Sequence, residues 1–393
     1  MTSKLPRIAI LKEAFIPHYR VRLYELLGAM PDVDYVVVHG QAPAATAHRA
    51  APGPFSFSEI RSSNRELRMA GKTLAYQPVV RTVAGPGFDG AVIGSELKLL
   101  ANTALFPILK AKRRPVLLWG QGGEKREDLS SAMSLLSGAG ALAKRTAARH
   151  ADGYLSYTQG GRDRLVESGV DPAKIFVIRN TLDIEREIEL HRQMRDGSEE
   201  QLRHELGLQR DSIVLLYIGR VYREKRLPEF ISLIRALRDP GSTDAVVEGV
   251  VIGDGPDLEA VRQEAGDIDG LHLPGEIRDG ELIAKHMRAA AALVIPGKVG
   301  LAVNHAFGHG VPVITRTGDL HAPEFEYLEP ERNSIVVSGD FDDFVRAVAE
   351  FVDAPERQRL LSAGALASRE GLTIAGMASA FHRAVCTTLK IQQ

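Results

Sequence analysis

Cysteine is all but absent. Cys386 is the only one in 393 residues, so an intramolecular disulfide is impossible and no cysteine cage can hold a metal. That usage fits a reducing compartment. Net charge is missing too: 49 Lys and Arg stand against 50 Asp and Glu. No global field therefore points to nucleic acid. Long apolar runs are also lacking. None reaches the roughly 18 uninterrupted residues of a membrane span, and Met1–Leu11 has no apolar core of a secretory signal. The cytoplasm is the expected address, with peripheral attachment to the inner face of a membrane as the alternative.

What is present is ordinary for a globular protein: 44% hydrophobic and 25% charged residues. The chain is too long for one core, so two α/β domains are expected. Short apolar runs alternate with helix-like stretches, as in parallel strands buried on both faces. Ile8–Leu11, Tyr35–His39, Gly90–Ile93, Pro115–Trp119, Gly153–Tyr157 and Ile175–Ile178 read as strands, with helices over Val21–Met30 and about Leu129–Ala151. Ile184–Arg210 is charged and reads as a connector with helical pieces. The alternation restarts at Ser212–Ile218 and continues through Val250–Ile252, Leu271–Leu273, Leu293–Ile295, Val311–Ile314 and Ile335–Val337. The expected organisation is an N-terminal domain over 1–190, a second over 191–370, and a closing helical segment over 371–393. Both domains are predicted to be doubly wound and Rossmann-like.

Two segments carry chemistry. In Tyr217-Ile218-Gly219-Arg220-Val221-Tyr222-Arg223-Glu224-Lys225, a buried strand ends in glycine and two cations follow before a helix. Open α/β sheets bind ligands at such a carboxyl end, and a diphosphate there needs fixed positive charge. The plain alternative is a solvated loop, which Arg223, Glu224 and Arg226 fit. In Pro296-Gly297-Lys298-Val299-Gly300-Leu301-Ala302-Val303-Asn304-His305-Ala306-Phe307-Gly308-His309-Gly310-Val311-Pro312, a strand enters a glycine-bearing turn and a short helix. Amides at that helix start can hold phosphate, or the glycines serve only tight turns. Lying in one domain, each after a strand, the segments favour a shared site.

With its GRVYREK, VIGDGP, LPGEI and IPGKVGLAVNHAFGHGVPVI segments and its terminal helix, the chain resembles the retaining glycosyltransferases of family 4. That family has the GT-B architecture, two Rossmann-like domains facing across a cleft. The resemblance implies that Arg220 and Lys225 contact a donor diphosphate as the catalytic cations, with Gly219, Val299, Gly300 and Leu301 around it. It places Gly275, Glu276 and Ile277 against the base, and puts Asn304 and Glu324 on the donor side. FIPHYRVRLYELL resembles the family's opening loop and helix, so His18, Tyr19 and Arg20, with Gln121, Gly122 and Gly123, are expected on the acceptor side. Asn180-Thr181-Leu182-Asp183 resembles its domain junction. The closing helix would cross back to the first domain.

Two departures stand out. The family carries Glu, seven residues, Glu in its donor loop, where this chain has Gly297 and His305. A neutral imidazole can bond a ribose hydroxyl, but less strongly than a carboxylate. Gln121 stands where many relatives have an active-site His, and it cannot relay a proton at neutral pH. His305 and His309 lie four apart on one helix face, with His321 as a third metal candidate. Ala306 stands where a zinc-protease motif needs Glu, and no metal is expected. Gly253-Asp254-Gly255-Pro256 lacks the third glycine of a dinucleotide fingerprint.

Basic residues cluster at Lys110, Lys112, Arg113 and Arg114 and at Lys144, Arg145 and Arg149. Beside Met133, Leu135, Leu136 and Leu142 they could dock on anionic lipid; the helix dipole and core packing explain them as well, and that explanation is preferred. The expected activity is sugar transfer from a nucleoside-diphosphate-sugar to a carbohydrate, lipid-linked or small-molecule acceptor. UDP is preferred, with dTDP and GDP as alternatives, and no further cofactor. A sugar-nucleotide epimerase, a non-catalytic nucleotide-sugar binder and a nicotinamide oxidoreductase are the rivals.

Overall fold

The computed structural model describes residues 4–42, 50–69, 72–96, 99–123, 135–193, 199–266, 268–318 and 321–391. The chain forms two compact units. One comprises Met1–Asn180 with Ile374–Gln393, the other Thr181–Thr373.

The first unit is built on a seven-stranded sheet of β1 (Arg7–Leu11), β2 (Asp34–His39), β3 (Ser58–Arg61), β6 (Gly90–Gly94), β7 (Val116–Gly120), β8 (Gly153–Ser156) and β9 (Ile175–Val177). The order is β3-β2-β1-β6-β7-β8-β9, with every pairing parallel. β6 and β7 are buried at every position, as strands covered on both faces must be. A separate antiparallel hairpin joins β4 (Arg65–Met69) and β5 (Lys72–Tyr76). The helices are α1 (Val21–Gly28), α2 (Val80–Val83), α3 (Leu100–Ala111), α4 (Leu135–His150) and α5 (Gln159–Glu167). One face of the sheet is covered by a cluster containing Leu105, Leu109, Ala148 and Leu165. The other is covered by α1 and the closing helix Ile374–Leu389, whose Met377, Phe381 and Val385 share one cluster with Leu23, Tyr35 and Trp119. Phe381 meets Trp119 edge-on at 5.3 Å between ring centroids.

The second unit repeats the plan with β10 (Ile213–Ile218), β11 (Val247–Ile252), β12 (Leu271–Gly275), β13 (Ala290–Ile295), β14 (Val313–Arg316) and β15 (Ser334–Val337). Its parallel order is β12-β11-β10-β13-β14-β15. The helices are α6 (Ile184–Gln193), α7 (Glu199–Glu205), α8 (Leu227–Leu237), α9 (Leu258–Ala265), α10 (Gly280–Ala289), α11 (Ala302–His309), α12 (Phe341–Val352) and α13 (Pro355–Ser368). α8 opens with proline in its first turn and buries Phe230, Ile231, Leu233, Ile234 and Leu237, the spacing of one helix face. α12 begins with a reciprocal capping box between Asp340 and Asp343.

Both sheets have a point where strand order reverses, β1/β6 in the first unit and β10/β13 in the second. There two neighbouring strands send their following loops to opposite sides, which opens a crevice at their carboxyl ends.

Two expectations change. The boundary falls after Asn180 rather than at 190, because α6 packs against α10 and α11 of the second unit. The return to the first unit begins at Ile374. In the first group of basic residues, in keeping with the preferred explanation, Lys110 bonds Asp152 at 2.7 Å, Lys112 donates to Ala84 O at 2.7 Å, and Arg114 donates to Gly85 O. Met133 lies outside the described residues. No described helix is long and apolar enough to cross a membrane.

Candidate functional site

At the second unit's switch point, the loops after β10 and β13 meet. Gly219 follows β10 at φ +147°, a value side chains disfavour. Its N–H donates to Ile252 O at 3.0 Å, and Val221 N–H donates to Asp254 O at 2.9 Å. Tyr217 Oη donates to Arg220 O at 2.9 Å. The backbone of Arg220 is thus fixed while its side chain is exposed. A short 3-10 turn, Arg223–Lys225, then carries Lys225 inward, and Arg226 takes a left-handed φ of 53° to start α8.

Lys225 is only 8% exposed. Its ammonium donates to Lys298 O at 2.5 Å. Burial pulls its pKa down to about 8; the nearby Lys298 charge adds to this, and Glu324 opposes it. Opposite lies Gly300: a Cβ built there would stand 3.9 Å from Lys225 Nζ, so no side chain separates that ammonium from the backbone. Gly300 and Leu301 immediately precede α11, where the first amides of a helix have no intrahelical acceptor.

The β13 loop is held from two sides. Lys298 N–H donates to Glu224 O at 2.7 Å, and Ala322 N–H donates to Val299 O at 3.0 Å. Val299 N–H donates to His321 Nδ1 at 3.1 Å. His321 Nε2 lies 3.0 Å from Arg316 O, so that nitrogen carries the proton and the ring is neutral. The ring also stacks on Phe325 at 4.0 Å.

In the first unit, the loop after β1 holds Lys12, Glu13 and the turn His18–Arg20. Arg20 is 1% exposed. It donates to Asn180 Oδ1 at 2.5 Å and Tyr157 Oη at 3.3 Å, and its guanidinium lies 5.3 Å from the Trp119 ring. His18 is exposed and Tyr19 half-buried; burial, then the Glu13 charge, raises the Tyr19 phenol. Gln121 is exposed after β7, on a turn packed so tightly that a Cβ on Gly122 would stand 2.4 Å from Gly161 Cα and one on Gly161 would stand 2.4 Å from Gln121 O.

Residues 212–354 match the family profile described as "Glycosyl transferases group 1". The chain carries a group 1 glycosyltransferase domain. The D-inositol 3-phosphate glycosyltransferase of Geodermatophilus obscurus is 28% identical over 230 residues, 55% of this chain and 48% of that protein. The enzyme of that name from Thermomonospora curvata is 27% identical over 232 residues, 55% of this chain and 52% of that protein. The chain thus spans about half the length of the curated relatives it matches. The whole chain has the GT-B fold. Anabaena HepE in complex with UDP superposes with a TM-score of 0.70 at 14% identity, over 98% of this chain and 100% of that one. Sucrose-phosphate synthase from Thermosynechococcus elongatus gives 0.69 at 16%, over 99% and 100%.

Within the glycosyltransferase domain, Arg220, Lys225, Val299, Gly300 and Leu301 gather at the β10/β13 switch point. Gly275 closes β12, accepting from Gly253 N–H at 2.9 Å. Exposed Glu276 accepts two bonds from Arg278, at 3.0 and 3.2 Å, and Ile277 is half-buried. Other expectations need correction. Asn304 is fully buried, bonded to Leu301 O and Thr181 Oγ1, and so anchors α11. Gly297 is buried against the Glu224–Lys225 backbone and supports the Lys225 turn from behind. Glu324 is 2% exposed and acts on the Lys225 ammonium. Arg20 is sealed inside the first unit, where it fixes the loop that bears His18 and Tyr19. His309 is buried, its ring 5.7 Å from that of His191, while His305 is half-buried. Among the described residues, no three His, Cys, Asp or Glu side chains form a metal-sized group.

The sequence reading weighed His321 only as a metal ligand and missed that it fixes the donor loop; it also missed the Lys12–Glu96 pair at the other switch point. The family motif directed attention to His305 and Gln121, and nothing in local spacing marks a histidine that bonds a backbone 22 residues away.

Proposed function

We propose that this protein is a metal-independent, retaining glycosyltransferase, moving a sugar from a nucleoside-diphosphate-sugar to an acceptor hydroxyl. The acceptor classes are a carbohydrate, a lipid-linked molecule or a small molecule. The observation that carries this reading is the buried Lys225 ammonium, bonded to a carbonyl and facing the bare backbone of Gly300. A buried cation held only by a carbonyl among the hydrogen bonds of the described residues favours an anionic ligand. A diphosphate between Lys225 and the Gly300–Leu301 amides, with Arg220 reaching it from the β10 turn, supplies that anion. As the sugar–phosphate bond breaks, charge collects on the leaving oxygen, and each such positioned donor is worth about 3 kcal/mol. That oxygen then takes the acceptor's proton, a task neutral Gln121 cannot perform. His305 bonds the ribose, and Gly275–Ile277 lie against the base. UDP is the preferred nucleotide, as the HepE complex with UDP on the same fold supports; dTDP and GDP are the alternatives.

The test is thermal denaturation with UDP, dTDP and GDP, followed by product analysis with the matching nucleotide sugars. One nucleotide at a hundredfold excess over its dissociation constant should stabilise the fold by about 2.7 kcal/mol. Cooperative melting with no shift for any of the three defeats the reading.

Lys225 adds a pH signature. The free protein loses this charge as pH rises through about 8, so UDP affinity should fall by about tenfold per pH unit above that point. Calorimetric titration from pH 7 to 9.5 checks it, and Lys225→Arg should flatten the profile. Without ligand the sign for folding is opposite. The folded pKa lies below the ordinary lysine value of about 10.4, so this contribution is complete above that value and is lost as pH falls through about 8.

A further inference from the structure

One peptide of the donor loop is held from both sides. The carbonyl of Lys298 accepts from the Lys225 ammonium at 2.5 Å. Across the same peptide bond, Val299 N–H donates to His321 Nδ1 at 3.1 Å. The C=O and N–H of a trans peptide lie in one plane and point in opposite directions, so Lys225 and His321 stand on opposite sides of this unit. The imidazole is itself fixed. Its Nε2–H donates to Arg316 O at 3.0 Å, and its face stacks on Phe325 with 4.0 Å between centroids and 6° between planes. His321 is 6% exposed and Val299 is fully buried. A continuous chain of hydrogen bonds therefore runs from Lys225 Nζ, through the Lys298–Val299 peptide and the imidazole, to Arg316 O at the end of β14.

Each link depends on the one behind it. With the proton on Nε2, Nδ1 is an acceptor and Val299 N–H has its partner. Bonds in such a chain polarise one another, which strengthens the carbonyl's hold on the ammonium. The next peptide is fixed by the same segment: Ala322 N–H takes Val299 O at 3.0 Å, so Gly300 N–H points away from Ala322. Without the imidazole acceptor, Val299 N–H is a buried donor that lacks this partner, which is costly. The Lys298–Val299 peptide then turns to find another, and its carbonyl leaves Lys225. Lys298 and Glu324 are the charges acting on that ammonium, and the Tyr222 ring lies 5.8 Å from it.

Resting on the function proposed above, we propose that His321 is the positioning residue of Lys225, holding its ammonium in place for the donor diphosphate through the Lys298–Val299 peptide. It acts on the donor through the backbone, without touching it.

The experiment titrates the full chain and two variants with UDP by calorimetry from pH 7 to 9.5. His321→Phe keeps a ring against Phe325 but offers no acceptor, whereas His321→Asn brings an amide oxygen close to the place of Nδ1. At pH 7, His321→Phe should bind UDP about tenfold more weakly, the scale of one hydrogen bond to a charged group. Its alkaline loss of affinity should set in at least about half a pH unit below that of the wild type, because the carbonyl that favours the charged lysine has moved. His321→Asn should recover most of both effects. A side chain that only fills space would change the melting temperature and leave the pH profile where it was. If His321→Phe does not melt cooperatively, nitrogen-15 NMR of the wild-type imidazole, identified by its loss in His321→Asn, reads the same contact. A ring protonated on Nε2 alone is expected at pH 7; one protonated on Nδ1 overturns the inference. A folded His321→Phe with the affinity and pH profile of the wild type, or a His321→Asn as weak as His321→Phe, also overturns it while the function stands. Failure of the wild type to bind UDP, dTDP or GDP removes the function and this inference with it.

Discussion

Replacing Arg220 by alanine is expected to cut sugar transfer by a hundredfold or more without moving the melting temperature. The side chain is exposed and its backbone is fixed independently, through Tyr217 Oη to Arg220 O and Val221 N–H to Asp254 O, so the turn holds its shape without the guanidinium. What disappears is a charge placed for the departing diphosphate, and one such donor accounts for about 3 kcal/mol of barrier. Lys225→Met should behave differently. It removes a buried ammonium whose pKa is already drawn down by burial, and a methionine of similar length fills the space. The melting temperature should rise while UDP binding falls sharply, a separation expected where stability is given up for function. Steady-state kinetics and melting of both variants check the pair. Full activity in Arg220→Ala would remove the assignment of that residue.

The second large effect concerns Gly297. Restoring the glutamate that the resembled family carries there should destroy the site. A Cβ at 297 would stand 2.8 Å from the Lys225 carbonyl carbon and closer still to Glu224 O, and both are backbone atoms that no rotamer change can clear. Gly297→Ala alone should cost about 1–3 kcal/mol, the range of overpacking. Gly297→Glu should cost more and push the Lys225 turn outward. Gly300→Ala is the control, since its Cβ would make only ordinary contacts at 3.9 Å with Ala322 Cβ and Lys225 Nζ. It should melt like the wild type while weakening UDP binding, because its methyl occupies the space the phosphate needs. Denaturant midpoints and UDP titrations of the three variants check the contrast. A Gly297→Glu protein as stable as wild type would show that the Glu224–Lys225 turn yields freely.

The strands buried on both faces were legible because continuous apolar runs such as Ile8–Leu11 and Ile213–Ile218 can satisfy no other environment. β3 escaped notice because Ser58-Glu59-Ile60-Arg61 is a polar edge strand, exposed at Ser58 and Arg61. α3 and α13 went unmarked; α3 runs through Pro107, and α13 has little contrast between its faces, burying only Leu361 and Ala365. At the site, glycine after a strand and two cations before a helix gave away the β10 loop. Which glycines approach backbone and which face open space was not legible, because Gly297 and Gly300 look alike until the Lys225 turn is folded against one of them. The same holds for Arg20 and Asn304, polar residues in motif positions whose interior partners come from distant parts of the chain.

The closing helix has a consequence for the order of synthesis. Ile374, Met377, Phe381 and Val385 complete a core that otherwise belongs to the first 180 residues, so a nascent chain cannot finish its first unit while that helix is still inside the ribosome. The second unit lies wholly between the two parts and has all its strands in hand earlier. The unit begun first is therefore completed after the second unit has been made, with part of one face of its sheet uncovered until the closing helix emerges.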